Sequence, residues 1–260
     1  MGAISGERPR VVSTVSHYAR HVQSEEYRES RKQKAELIYA VCAGYLESAR
    51  CVADLGAGTG LIKRVLEERS GRPIVGFEID REFMEETSRM VLADLTKLPV
   101  ADGAIEFGIA NHVYEHVGNL DLFFAEIRRA LAPDGRVYLT AGNRFALIEP
   151  HYRLPTLSWW PEPVATRILR WSGRGERYDD IHFVTHRRLV AAAARHGLWL
   201  EDVTDGVLAS QLHRYGSRPG QLASRFALRL PGGLRRLLLR WASPQWFFFI
   251  RHAGVTGGTS

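Results

Sequence analysis

Seven consecutive residues, Asp54-Leu55-Gly56-Ala57-Gly58-Thr59-Gly60, constrain the fold of this chain more than any other feature. They follow a short apolar run, Cys51-Val52-Ala53-Asp54-Leu55, and precede a helical pattern from Leu61 to about Arg69. A glycine-rich turn between a strand and a helix bends the backbone sharply and lets a ligand approach the amides closely. Dinucleotide-binding turns place a third glycine three residues after the second, and Leu61 stands at that position. The spacing Gly-x-Gly-x-Gly therefore points to a different ligand.

Strand and helix patterns alternate around this turn. A helix is expected from about Ser24 to Leu46, then strands at Pro73–Glu78, Met90–Ala93 and Ile105–Ala110. A helix over Leu120–Leu131 stops at the turn Ala132-Pro133-Asp134-Gly135, and Arg136–Ala141 forms the fifth strand. Thr185–His196 reads as a helix, with strands at Leu198–Val203 and Trp246–Ile250. This rhythm implies an α/β fold with a parallel, doubly wound sheet of about seven strands. Residues 142–184 hold prolines, Trp159-Trp160 and Gly173-Arg174-Gly175 without a clean period, and read as a cap inserted over the carboxyl edge.

Two further acids end successive strands. Glu78 closes the second, 24 residues after Asp54, where a carboxylate accepts both ribose hydroxyls of an adenosine. Asp94 follows the third, and Asp80, by strand alternation, faces elsewhere. With the glycine loop, the Leu98–Phe107 and Asn111–Val117 segments, and the Arg129–Arg136 turn, the chain resembles the class I S-adenosylmethionine-dependent methyltransferases of the type 11 kind. Asp134 departs from that pattern, in which a glycine is usual. The resemblance covers residues 50–141 and implies a Rossmann-like fold and S-adenosyl-L-methionine as cofactor. It implies a cofactor site built from Asp54, Gly56, Ala57, Gly58, Gly60, Glu78, Ile79, Asp94, Leu95 and Asn111. One domain over 1–260 is expected: a helical cap (1–47), the cofactor core (48–141), an acceptor-side insertion (142–184) and a basic insertion (206–244).

Methyl transfer from a sulfonium is an in-line displacement that gains most from positioning and water exclusion. A hydroxyl acceptor also needs a base. His112 at the end of the fourth strand, and His151 and His182 in the insertion, are the candidates for that catalytic role. The Glu115-His116 pair resembles one that recurs across the superfamily and reads as structural. No His/Asp/Glu cluster stands at ligand spacing along the chain, which argues against a metal-assisted mechanism.

Composition bears on partners. The chain carries 35 basic residues against 29 acidic ones, and seven arginines with no acid lie between Gly206 and Pro244. There Leu222, Phe226 and Leu230, then Leu234, Leu237, Leu238 and Trp241, repeat at helical spacing on either side of Pro231-Gly232-Gly233. Arg225, Arg229, Arg236 and Arg240 take the other faces. A basic amphipathic helical hairpin of this kind rests on an anionic membrane surface. One basic segment is not a nucleic-acid footprint, so no nucleic-acid partner is expected. With two cysteines, no apolar leader and no membrane span, the expectation is a cytoplasmic protein in peripheral contact with the inner face of the plasma membrane. The C-terminal layout resembles methyltransferases of lipid-linked saccharide assembly, which implies O-methylation of a hydroxyl on a lipid-linked glycan, glycolipid or similar amphiphile. The alternatives are a natural-product or quinone-type small-molecule methyltransferase and a non-catalytic binding protein of the same fold. No oligomeric state is implied.

Overall fold

The computed structural model describes residues 24–85, 88–179, 181–215 and 228–254. Helix α1 (Glu25–Ser48) starts where the Ser24 side chain accepts from the Tyr27 N–H at 3.1 Å, and it runs two residues beyond the expected end. Strand β1 (Val52–Leu55) leads through the glycine loop into α2 (Leu61–Ser70). Strands β2 (Ile74–Glu78), β3 (Met90–Leu92) and β4 (Ile105–Asn111) follow, then α3 (Leu120–Ala130), capped by Asn119.

Strand β5 (Leu131–Gly142) begins earlier than the sequence implies. The expected turn at Ala132–Gly135 lies inside it as an irregularity: pairing with β4 passes from Ile105↔Leu131 to Phe107↔Arg136. The insertion, read from sequence as aperiodic, carries a helix, α4 (Glu162–Trp171), started by Pro161. Helix α5 (His186–Arg195) and strand β6 (Leu198–Asp202) come next. Helix α6 (Thr204–Tyr215) was not anticipated, because Gly206 and a weak apolar pattern hide it. Helix α7 (Gly232–Ala242) is the second arm of the expected hairpin, and strand β7 (Gln245–His252) closes the sheet. Leu222 to Phe226 of the first arm lie outside the described residues.

The sheet order is β3-β2-β1-β4-β5-β7-β6, Rossmann-like and of seven strands. It is mixed, not wholly parallel: β7 runs antiparallel to both β5 and β6. Alternation along the strands feeds two cores. Phe107, Ile109, Tyr138, Phe247 and Phe249 face Ile38, Cys42 and Leu46 of α1. Ala110, Leu139, Phe248 and Ile250 face Phe123 and Ile127 of α3 and Leu189 of α5. Because β7 is reversed, its first residue, Gln245, arrives at the same edge as the last residues of β4 and β5.

Candidate active site

Three glycines of the loop after β1 hold positive φ: Gly56 at 80°, Gly58 at 55° and Gly60 at 78°. A Cβ on Gly56 would stand 2.7 Å from Cγ2 of Val113, so the loop lies directly against the segment following β4. A Cβ on Gly58 would meet nothing within 4 Å, which leaves open space above that amide. Gly76 of β2 is tight for another reason, since its Cβ would meet the Met90 sulfur and Ala57.

Glu78 folds back on this loop. Its Oε2 accepts from the Gly58 N–H at 2.7 Å, and its Oε1 accepts from Ile79 and Asp80 N–H at 2.9 and 3.1 Å. Three backbone donors leave the carboxylate with part of its accepting capacity for a ligand. Asp80 caps its own 3-10 turn by accepting from the Glu82 N–H. Asp94 is exposed and accepts from the Thr96 amide and hydroxyl, both at 2.8 Å, while Leu95 is buried and Ile79 exposed.

Asp54 is buried, and its Oδ2 has no hydrogen-bond partner. Burial first, and the charge of Glu78 second, raise its pKa to about 7 against the opposing charges of Lys63 and Arg31. Arg31 lies on α1, its guanidinium 4.5 Å from the Tyr27 ring centroid and its Nε without a hydrogen-bond partner. One turn on, half-buried Lys34 has its pKa lowered to about 8 by burial and by Arg31, with Glu115 opposing. Sequence reading missed both cations, because nothing in their spacing distinguishes them from a solvated helix face.

Beyond Asn111, His112 takes a left-handed conformation at φ 56°. Its Nδ1 lies 3.0 Å from Glu115 Oε1 and its Nε2 2.8 Å from the Gln245 amide oxygen position. Burial is the largest influence on His112 and lowers its pKa against the pull of Glu115. A neutral imidazole donates once, so Nδ1–H donates to Glu115 and the Gln245 amide turns its NH2 toward Nε2. Both nitrogens of His112 are therefore engaged inside the protein. Glu115 is fully buried; burial raises its pKa, but the hydrogen bond from His112, with His116 nearby, holds it net below the usual value.

The insertion brings His151 to this edge. Its Nδ1 is 2.8 Å from Oε1 of Glu149, which is itself fully buried and also accepts from the His151 and Tyr152 N–H groups. The ring meets His116 edge-on at 5.3 Å and Phe183 at 5.7 Å. Glu149 was not singled out in the sequence, although it stands two residues before a candidate base. His182 is exposed; its backbone N–H donates to the Glu115 carbonyl at 2.7 Å, and it lines a cavity of about 400 Å³ with Tyr114, Arg144, Trp160 and Phe183. The fold also assembles what the spacing along the chain did not show. Glu115, His116 and His151 place one ligand atom each within 4.8 Å of one another.

Residues 53–139 match the family described as a methyltransferase domain. About a third of the chain therefore matches a methyltransferase domain, and the sheet order is that of a Rossmann-like fold. The open space over Gly58 and the unpartnered Asp54 oxygen leave room and an acceptor for S-adenosyl-L-methionine, which a solved geranyl diphosphate methyltransferase of similar fold carries. Among curated relatives, malonyl-acyl-carrier-protein O-methyltransferase 1 of Coxiella burnetii is 30% identical over 103 residues, spanning 39% of this chain and 36% of that protein. A malonyl-acyl-carrier-protein O-methyltransferase of Geobacter sulfurreducens is 27% identical over 192 residues, 69% of this chain and 67% of its own. Thus the chain spans little more than a third of the Coxiella protein it matches. In fold it is similar to a methyltransferase from Archaeoglobus fulgidus, with TM-score 0.55, 16% identity and coverage of 91% and 99% of the two chains. The geranyl diphosphate C-methyltransferase of Streptomyces coelicolor A3(2) gives 0.51, 17%, 88% and 85%.

Proposed function

We propose that this protein transfers the methyl group of S-adenosyl-L-methionine to the oxygen of a hydroxyl-bearing acceptor. The observation that carries this reading is the Glu149–His151 pair. A buried carboxylate holds Nδ1–H of His151, which fixes the tautomer and leaves the Nε2 lone pair as a proton acceptor. An amine or a stabilised carbanion would not need such a group. The acceptor we favour is an amphiphile, such as a lipid-linked glycan or glycolipid. In support, α7 exposes Leu237 and Trp241 to 53% and 61% beside Arg236 and Arg240.

A second reading follows from the names of the relatives, which methylate malonyl groups on a carrier protein. A carboxylate acceptor arrives deprotonated and makes no use of His151. The test is a methyl-transfer screen against polyprenyl-linked sugars, phenols and carrier-bound acids, repeated with His151→Gln. For a hydroxyl acceptor kcat should fall roughly 10²- to 10⁴-fold, the usual contribution of a positioned base, with cofactor affinity unchanged. Glu149→Gln should lower kcat by a smaller factor. A His151→Gln protein that methylates hydroxyls at the normal rate removes the base, and one that methylates only carboxylates supports the second reading.

A further inference from the structure

A second property lies in the same cluster. We propose that Glu115, His116 and His151 bind a first-row divalent transition cation such as Zn²⁺. It rests on the O-methyltransfer reading only for its consequence, not for its existence. Two nitrogens and one carboxylate oxygen form a donor set suited to Zn²⁺, Fe²⁺ or Co²⁺ and poorly suited to Mg²⁺, which prefers oxygen alone.

The surroundings of the three side chains carry the argument beyond their proximity. Metal-binding histidines donate their second ring N–H to a carboxylate or carbonyl, which fixes the ring and strengthens the ligating nitrogen. His151 does this through Nδ1 to Glu149, a residue with no exposed surface. Ligating carboxylates are themselves held by hydrogen bonds. Glu115 Oε1 is held by His112, whose ring is in turn fixed by Gln245. That leaves Glu115 Oε2 buried with no hydrogen-bond partner, its charge met only at a distance by Lys34. His116 is exposed and provides the side from which a cation and an acceptor enter. The cluster therefore has three ligands, two outer-shell carboxylate or imidazole supports and one open side. A cation held there would take the Nε2 lone pair of His151, so cation binding and service of His151 as a base exclude one another; the bound cation would instead make an acceptor hydroxyl more acidic itself.

The test uses the full, tag-free chain, stripped with chelator and titrated with Co²⁺. One Co²⁺ per chain with visible d–d absorption is expected, displaced by Zn²⁺ and untouched by excess Mg²⁺. His116→Ala, an exposed substitution that leaves the core alone, should weaken Co²⁺ at least about 10-fold, as should His151→Ala. Glu149→Gln, outside the ligand set, should weaken it about 10- to 100-fold. His196→Ala, a surface histidine paired with Asp121, serves as control and should change nothing. No stoichiometric binding, or binding that survives both His116→Ala and His151→Ala, overturns the proposal. Failure of the O-methyltransfer reading would register separately, as absence of methylated hydroxyl product with the Co²⁺ bands intact.

Discussion

At the scale of single residues, the cofactor loop makes the most direct statements. Gly58→Leu puts a side chain into open space at φ 55°, so it costs about 1–2 kcal/mol of backbone strain while filling the approach above the amide. S-adenosylmethionine binding by calorimetry should vanish in a protein that still melts cooperatively; unchanged affinity would place the cofactor elsewhere. Glu78→Ala should weaken the cofactor about 10- to 100-fold, as expected for loss of a charge-assisted contact of roughly 1.5–3 kcal/mol. Since Glu78 also accepts the Gly58 N–H, the same variant should loosen the loop, and a shift below twofold would mean that loop support is its whole role. Asp54 makes a pH-dependent statement. Its pKa of about 7 lies above the ordinary 3.8, so in the ligand-free protein the folded state binds more protons than the unfolded between these values. This group therefore favours the fold at acidic pH and withdraws that stability as pH rises from about 4 to 7. The melting temperature of Asp54→Asn minus that of the wild type should grow across this window. A constant difference would show that Asp54 is already charged.

At the scale of elements, α7 is held at its C-terminal end, where Asn143 Nδ2 donates to the Trp241 carbonyl at 3.0 Å and Phe145 stacks on the Trp241 ring, and by Arg235, while one face stays open. Arg235 makes a two-pronged ion pair with Asp205 of α6, at 2.6 and 2.8 Å, so one of the segment's seven arginines is a tether and not a free charge. Arg240 approaches Asp202 only at 4.0 Å, and Arg236 reaches the Gly232 carbonyl of its own helix. Leu234 and Leu238 on its apolar face are 46% and 44% exposed. No helix among the described residues is long and apolar enough to cross a membrane, so contact with lipid here would be peripheral. If α7 rests on anionic lipid, the protein should float with phosphatidylglycerol vesicles at low ionic strength and release as salt shortens the screening length. Changing Arg225, Arg229, Arg236 and Arg240 together to Gln should abolish flotation with cofactor affinity intact. A wild-type protein that stays at the bottom of the gradient removes the chief support for an amphiphilic acceptor.

At the scale of the molecule, what was legible in the sequence was what is contiguous in it. Asp54 to Gly60 is a single run, and Glu78 and Asp94 each end a strand with clear apolar patterning, so their shared edge follows from the alternation of strands and helices. The cluster beyond β4 is assembled from separated parts: Lys34 from α1, Glu115 after β4, Glu149 and His151 from the insertion, and Gln245 from β7. No local period links these positions, and a spacing argument for metal ligands cannot see His151 beside Glu115. Helix α4 was hidden by the prolines and tryptophans around it, and the reversal of β7 has no signature in a buried aromatic run.

That reversal has a consequence in time. The His112–Gln245 contact spans 133 residues, and β7 is the strand that joins β6 to the rest of the sheet. A chain emerging from the ribosome can pair β1 to β5 early, but the left-handed turn at His112 has no partner for its outer nitrogen until residue 245 has been made. Non-local pairing of this kind delays closure. Nascent chains arrested before Gln245 should be cut by protease near His112 and protected once β7 is exposed from the tunnel. Equal protection before and after would show that the segment following β4 locks without its most distant neighbour.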